Sequence, residues 1–232
     1  MTHPGARYDG LADWYEDYNR PAAEANHADL LRMLGPGAGL CLDLGCGTGQ
    51  YFGTIRATGR TVVGVDRSVD QLRIARSRSG SLVQGEAAAL PFADCAFTTV
   101  VLLWISTDVG DIAAVLGEVR RVLSRFGVVL FLGVHPCFNG PHVESRDDGG
   151  VTVHPTYRVA SWHDAAPWWS GHGIRRRVGM RHVPLAELLN AFLRADLTIE
   201  EVAEPGDRPV PSALAVRAHR AGNTVERRTC PR

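Results

Sequence analysis

Apolar positions along the chain follow two alternating spacings. Two helical stripes open it: Tyr8, Leu11, Ala12, Tyr15 and Tyr18, then Ala25, Ala28, Leu31 and Leu34, the second stopped by Gly35-Pro36-Gly37. From there short apolar runs and helix-period segments take turns. The runs predict strands over 40–44, 61–66, 81–84, 99–104 and 127–134. The segments between them predict helices over 50–57, 69–78 (capped by Ser68 or Asp70) and 111–123, with a turn at 91–96. The run at 99–104 is continuously apolar, as a strand covered on both faces is. A helix over 184–195 and strands over 197–203 and 213–219 complete the pattern, and the tail at 221–232 is expected to be disordered. Strands alternating with helices predict an α/β fold, a doubly wound sheet with right-handed crossovers. One domain should span 1–220, with a helical cap at 1–37.

Residues 135–180 break this rhythm. They are rich in His, Trp, Gly and Pro and carry little periodicity. Long aperiodic segments in compact domains are often lids, so 135–182 is expected to form an insertion that covers a substrate. Tyr157, Trp162, Trp168 and Trp169 would enclose a planar or apolar molecule and exclude water. The plainer reading is a small satellite core beneath a loop.

Composition narrows the class. The chain has 232 residues, 45% hydrophobic and 22% charged, with a formal net charge of +0. That suits a soluble globule and argues against a dedicated nucleic-acid binder, which would carry a basic face. The basic clusters Arg175-Arg176-Arg177 and Arg227-Arg228 are short. Every Lys/Arg position is arginine, which points to coding bias in a GC-rich bacterial source. No apolar run approaches the roughly twenty residues of a membrane span, and no signal peptide is visible. Cys41, Cys46, Cys95, Cys137 and Cys230 form no C-x-x-C pair, so reduced thiols in a cytoplasmic protein are expected. His135, Cys137 and His142 lack a convincing fourth ligand, and no metal is expected.

The chemistry concentrates at Leu42-Asp43-Leu44-Gly45-Cys46-Gly47-Thr48-Gly49-Gln50, a buried strand entering a glycine-rich turn. The next apolar run, Val62-Val63-Gly64-Val65, ends on Asp66, placed to accept hydrogen bonds from a ribose diol. A dinucleotide fingerprint would need a third glycine where Gln50 stands. Asp43, ahead of the first glycine, would repel a pyrophosphate but could serve a cationic ligand. A nicotinamide dehydrogenase is therefore disfavoured.

This D-x-G-x-G-x-G form resembles motif I of the class I S-adenosylmethionine-dependent methyltransferases. The resemblance continues in Val65-Asp66-Arg67-Ser68, in Gly85-Glu86-Ala87-Ala88-Ala89-Leu90-Pro91-Phe92 and in Phe97-Thr98-Thr99-Val100-Val101, over roughly residues 8 to 135. The chain looks similar to the broad bacterial small-molecule group that includes ubiquinone and menaquinone methyltransferases and many natural-product tailoring enzymes. Three departures stand out: Glu86 for the commoner aspartate, Thr98 for the usual acid, and Ser124-Arg125-Phe126-Gly127 for a proline-glycine-glycine turn. The resemblance implies a Rossmann-like seven-stranded sheet of order 3-2-1-4-5-7-6 with the last strand antiparallel. It also implies S-adenosylmethionine as cofactor and S-adenosylhomocysteine as product. Asp43, Gly45, Cys46, Gly47 and Gly49 would pack against the amino-acid part. Asp66 would hold the ribose, Arg67, Glu86 and Ala87 would meet the adenine, and Leu102 and Leu103 would lend backbone to the methionine part. Tyr15 would cap the cofactor, and Tyr8, Tyr18 and Trp104 would face the substrate with the insertion's aromatics.

A neutral acceptor also needs a base, and imidazole suits neutral pH. His135, the first residue past the fifth strand, is expected in that role, with His163 second. The expected function is methyl transfer to a small, aromatic or apolar molecule in bacterial secondary metabolism, by a monomer or homodimer, with oxygen, nitrogen and carbon acceptors all open. Two alternatives keep the cofactor: a protein of this family that catalyses cyclisation or rearrangement, and a non-catalytic regulator or partner subunit.

Overall fold

The computed structural model describes residues 6–78 and 81–220; the tail expected at 221–232 lies outside them. Two helices, α1 (Ala12–Ala25) and α2 (His27–Leu34), precede the sheet. The first periodic stripe begins at Tyr8, but the helix starts at Ala12; residues 7–10 form a turn. Then come β1 (Leu40–Leu44), α3 (Phe52–Ala57), β2 (Thr61–Asp66), α4 (Val69–Ala75), β3 (Leu82–Gln84) and β4 (Phe97–Leu103). A 3-10 turn at Ile105–Thr107, α5 (Ile112–Val122) and β5 (Leu123–Val134) follow. Ser68 caps α4 by accepting a hydrogen bond from the Gln71 N–H, and Asp111 caps α5 through Ala113 and Ala114. Asp70 does not cap α4. Its carboxylate instead accepts from the Gly10 and Ala12 N–H groups, which ties the N-terminal segment to this helix.

The insertion carries short elements that its sequence did not announce: β6 (Val143–Ser145), β7 (Val151–Val153), β8 (Trp162–His163), α6 (Ile174–Val178) and β9 (Met180–Arg181). Helix α7 (Leu185–Arg194) and strands β10 (Leu197–Ala203) and β11 (Ala213–Arg220) close the chain. The main sheet runs β10-β11-β5-β4-β1-β2-β3. Its β3-β2-β1-β4-β5 part is parallel, and β11 lies antiparallel to both neighbours. This is the order the resemblance implies, a Rossmann-like sheet with its last-placed strand β11 antiparallel.

Each face of the sheet has its own core, which explains the unbroken apolar run in β4. Val100 and Leu102 pack with α5 and α7 on one side; Val101 and Leu103 pack with α2, α3 and α4 on the other. Because β1 and β2 pair in register from Leu40↔Thr61 to Leu44↔Val65, both end at one edge of the sheet. The glycine turn and Asp66 therefore meet there.

One expectation fails. Cys95 is disulfide-bonded, while Cys41, Cys46 and Cys137 are free. Cys95 sits in a left-handed turn (φ 59°), and the Arg220 guanidinium on β11 reaches its sulfur at 3.3 Å. The fold brings residues 125 positions apart to one place, which sequence spacing did not reveal. Among the described residues no helix is long and apolar enough to cross a membrane.

Candidate cofactor and acceptor site

The turn after β1 depends on glycine. Gly45, Gly47 and Gly49 have φ of 73°, 53° and 76°, a region L side chains rarely adopt. A β-carbon on Gly45 would meet Ile105 at 2.6 Å, and one on Gly49 would meet the Phe52 ring at 2.7 Å. The Gly45 and Cys46 N–H groups donate to the Val65 carbonyl at 2.8 and 3.0 Å. The Cys46 thiol faces the sheet, where a β-carbon on Gly64 would approach its sulfur to 2.8 Å. Only the backbone of Cys46 belongs to the turn's outer surface.

Two carboxylates flank the turn in different states. Asp66 accepts from the Gly47 N–H at 2.9 Å and from the Ser68 N–H at 2.9 Å. Asp43 is 1% exposed, and neither of its oxygens has a partner. Burial, with the Asp66 charge adding to it, pushes the Asp43 carboxyl up to about 7. An unpaired buried carboxylate is costly unless something charged meets it. Farther out, Arg67 pairs with Glu86 at 3.4 Å; Ala87 follows on the loop after β3.

The helical cap grips this turn. Gln50 donates to the Glu16 carbonyl and accepts from Asn19, both at 2.8 Å. Arg78 bonds the Thr48 carbonyl and the Glu16 carboxylate, each at 2.6 Å. Tyr15 is half-buried and edge-on to Tyr8 (5.2 Å between rings), and desolvation raises both phenols. Tyr8 donates to Asp108 at 3.1 Å, which Arg175 also reaches at 3.3 Å. Trp104, just past β4, has a left-handed conformation (φ 65°), unusual for a bulky residue. Its indole N–H donates to the Tyr51 hydroxyl at 2.9 Å. Tyr8 with Tyr15 and Tyr51 with Trp104 thus form two aromatic pairs. Tyr18 stands apart: it is 45% exposed and stacked on Trp14. Leu102 is buried in the core on the α5 side and Leu103 on the other, so these residues offer the cleft backbone only.

The insertion's residues are placed differently. His135 is buried with both ring nitrogens committed: Nε2 lies 2.9 Å from Glu204, and Nδ1 accepts from the Cys137 N–H at 3.1 Å. Both of its ring nitrogens thus have protein partners, which the sequence did not indicate. The reason is the loop after β10, which brings Glu204 to the end of β5. His163, half-buried on β8, has Nε2 at 3.1 Å from Ser161 Oγ. Tyr157 accepts from the Leu185 N–H at 3.0 Å and packs against His142 and His182. Trp168 stacks on His154 at 4.0 Å. Trp162 bonds Asp164 and lies under the Arg7 guanidinium at 3.8 Å. Trp169 caps a turn through Ala166. These four aromatics hold separate contacts and are not gathered into one surface. Gln50, Asp108 and Arg175 were not singled out as site residues; their partners are distant in sequence.

S-adenosylmethionine offers a diol, an ammonium group and a sulfonium. The residues fit it: an acceptor carboxylate for the diol, a buried carboxylate without a partner for positive charge, and a turn where side chains are excluded. A methyltransferase-domain family matches residues 42–131. The demethylmenaquinone methyltransferase of Corynebacterium kroppenstedtii is 37% identical over 86 residues, 37% of this chain and 38% of that protein. The malonyl-[acyl-carrier protein] O-methyltransferase of Erwinia pyrifoliae is 35% identical over 130 residues, 49% of this chain and 48% of the relative. The chain thus spans under half the length of these two curated relatives. A solved S-adenosylmethionine-dependent methyltransferase from Mesorhizobium loti superposes with a TM-score of 0.70 at 25% identity, covering 84% of this chain and 98% of that one.

Proposed function

We propose that this chain, which belongs by domain and fold to the class I S-adenosylmethionine-dependent methyltransferases, transfers the methyl group of S-adenosylmethionine to a small, partly aromatic or apolar acceptor. The observation that carries the reading is the carboxylate pair at the ends of β1 and β2. Asp66 is oriented by two backbone N–H groups, and Asp43 is buried with both oxygens unused. The cofactor, when bound, supplies a methyl group already activated for in-line displacement. What remains for the protein is alignment and water exclusion. Asp43 meets the positive charge of the ligand, and the glycine turn fixes its position. The pairs of Tyr8 with Tyr15 and of Tyr51 with Trp104 exclude water and favour a flat acceptor. Of the relatives, these rings suit the demethylmenaquinone type better than a carrier-bound malonyl group. Where the acceptor carries a proton, His163 takes it. We place the reaction in the bacterial cytoplasm, in secondary metabolism, carried out by a monomer or homodimer without a nucleic-acid partner.

Calorimetry with S-adenosylmethionine and S-adenosylhomocysteine should give micromolar dissociation constants, about −8 kcal/mol. Labelled methyl should pass to a member of a panel of phenols, quinols and indoles. Tighter binding of NAD would overturn the cofactor reading. Binding without methyl transfer to any acceptor would favour a cyclase-like or regulatory protein.

A further inference from the structure

Gln71, in the first turn of α4, is 2% exposed, and neither its amide nitrogen nor its amide oxygen has a hydrogen-bond partner. A buried amide left unpaired opposes folding, and the local sequence offers an obvious way to avoid it. Ser68-x-x-Gln71 has the spacing of a capping box, in which the serine accepts from the N–H three residues on and the glutamine side chain reaches back to the serine N–H. Half of the box is present: Ser68 Oγ accepts from the Gln71 N–H at 3.2 Å. The other half is blocked because the Ser68 N–H is donated to Asp66 at 2.9 Å. Gln71 lies instead against the glycine turn. Its Oε1 is the nearest atom a β-carbon on Gly47 would meet, at 3.6 Å. Gly47 in turn gives its N–H to Asp66.

The hydrogen-bond count in this corner is lopsided. A ribose diol presents two O–H donors and two acceptor oxygens. An ionised Asp66 only accepts, and the two backbone N–H groups beside it are already spent on it. Two buried donors there are unused, the Thr48 hydroxyl and the Gln71 amide, and of these the amide lies on the α4 side with Ser68 and Asp66. We propose that Gln71 is a specificity-determining residue for the ribose of the cofactor, its Nε2–H donating to a hydroxyl oxygen whose own proton Asp66 accepts. The inference rests on the cofactor reading above. The N-terminal segment is tied to the same helix turn: Asp9 accepts from the Ser68 hydroxyl at 2.5 Å, and Asp70 accepts from the Gly10 and Ala12 N–H groups at 2.9 and 3.2 Å.

The test is calorimetry of wild type, Gln71→Met and Gln71→Leu with S-adenosylhomocysteine and with its analogue lacking both ribose hydroxyls, together with thermal melts of the ligand-free proteins. Removing one neutral hydrogen bond should weaken S-adenosylhomocysteine binding about five- to tenfold, with little change for the analogue. The ligand-free melting temperature should rise in both variants, because an unpaired buried amide has been replaced by an apolar chain. Two variants of different shape guard against one that fails to fold. Unchanged S-adenosylhomocysteine binding with a raised melting temperature would make Gln71 a purely structural burial. An equal loss with both ligands would overturn the ribose assignment in favour of a general distortion of the turn. If wild type binds neither ligand, the cofactor reading falls first and takes the inference with it.

Discussion

Two regions at the carboxyl end of the parallel strands treat their polar groups differently. Around β1 and β2, Asp43 and Gln71 are buried and unpartnered. In and beside the insertion the charged and ring groups mostly meet the protein itself, His135 with Glu204 and His182 with the Tyr157 carbonyl, while two ring nitrogens, Trp168 Nε1 and His142 Nδ1, are buried without a partner. Folding alone disfavours a buried polar group without a partner, and a whole carboxylate left so, as at Asp43, costs more than a single ring nitrogen. The proposed cofactor would meet that cost on the glycine-turn side.

The sharpest break in this contrast would come from the histidines. If the insertion contributes chemistry, His163→Ala should lower kcat about 10²-fold. His135→Ala should leave the chemical step nearly intact while lowering thermal stability, since it unpairs Glu204 and the Cys137 N–H. Turnover of the His163 variant within a few-fold of wild type would reduce the insertion to packing and cover. Next in size is Asp66→Ala. Losing charge-assisted hydrogen bonds should weaken S-adenosylhomocysteine binding by about 1.5–3 kcal/mol, measured by calorimetry. Unchanged affinity would dissolve the contrast from the other side.

The same division governs how much could be read from sequence. The sheet was legible because strand and helix periods are local: β1 and β2 lie where the apolar runs at 40–44 and 61–66 put them. The glycine turn and Asp66 were legible because the chemistry and its scaffold share a few residues. Arg175 and Asp108 are 67 positions apart, and Gln50 meets Glu16 across 34. No spacing rule announces such pairs. The end of β5 was only half legible for a related reason. Position alone aims His135 at the cleft, and only the fold shows that Glu204, 69 positions away, is its partner. The insertion's hairpins β6–β7 and β8–β9 are three and two residues long, too short for any alternation to register.

Asp43 allows a finer test. Its carboxyl is raised from the usual range to about 7, so the neutral form is the stable one in the ligand-free fold. A group raised on folding gives stability that is full below its unfolded pKa, near 3.9, and is lost as pH climbs through about 7. Asp43→Asn should therefore melt higher than wild type at pH 8, with the advantage shrinking toward pH 4. Its affinity for S-adenosylmethionine should fall about tenfold at pH 8, the difference between a charged and a neutral partner. A variant that is stabilised yet binds normally would show that Asp43 faces no cation.

The smallest effect belongs to the insertion, and its sign is reversed. His142 is fully buried, its Nε2 is 3.4 Å from the Cys137 carbonyl, and its ring lies 4.3 Å from that of His182. Burial lowers both imidazoles, His182 to about 4. Each is neutral in the fold and titrates near 6.5 when exposed. Such groups lend stability that is present above about 6.5 and lost as pH falls toward the folded value. Protonation then favours open forms of 135–182 in which the rings are wet. Amide exchange there, corrected for intrinsic rates, should speed up several-fold between pH 7 and pH 5.5, at most about tenfold per histidine from the pKa difference. Amides of β1, β2 and β4 should not follow, because these two histidines pack against insertion residues rather than the sheet's glycine turn. In His182→Asn the acceleration should shrink. Exchange that rises equally in the central strands would mean global acid unfolding. The insertion would then open with the whole molecule rather than as a unit held by its own contacts.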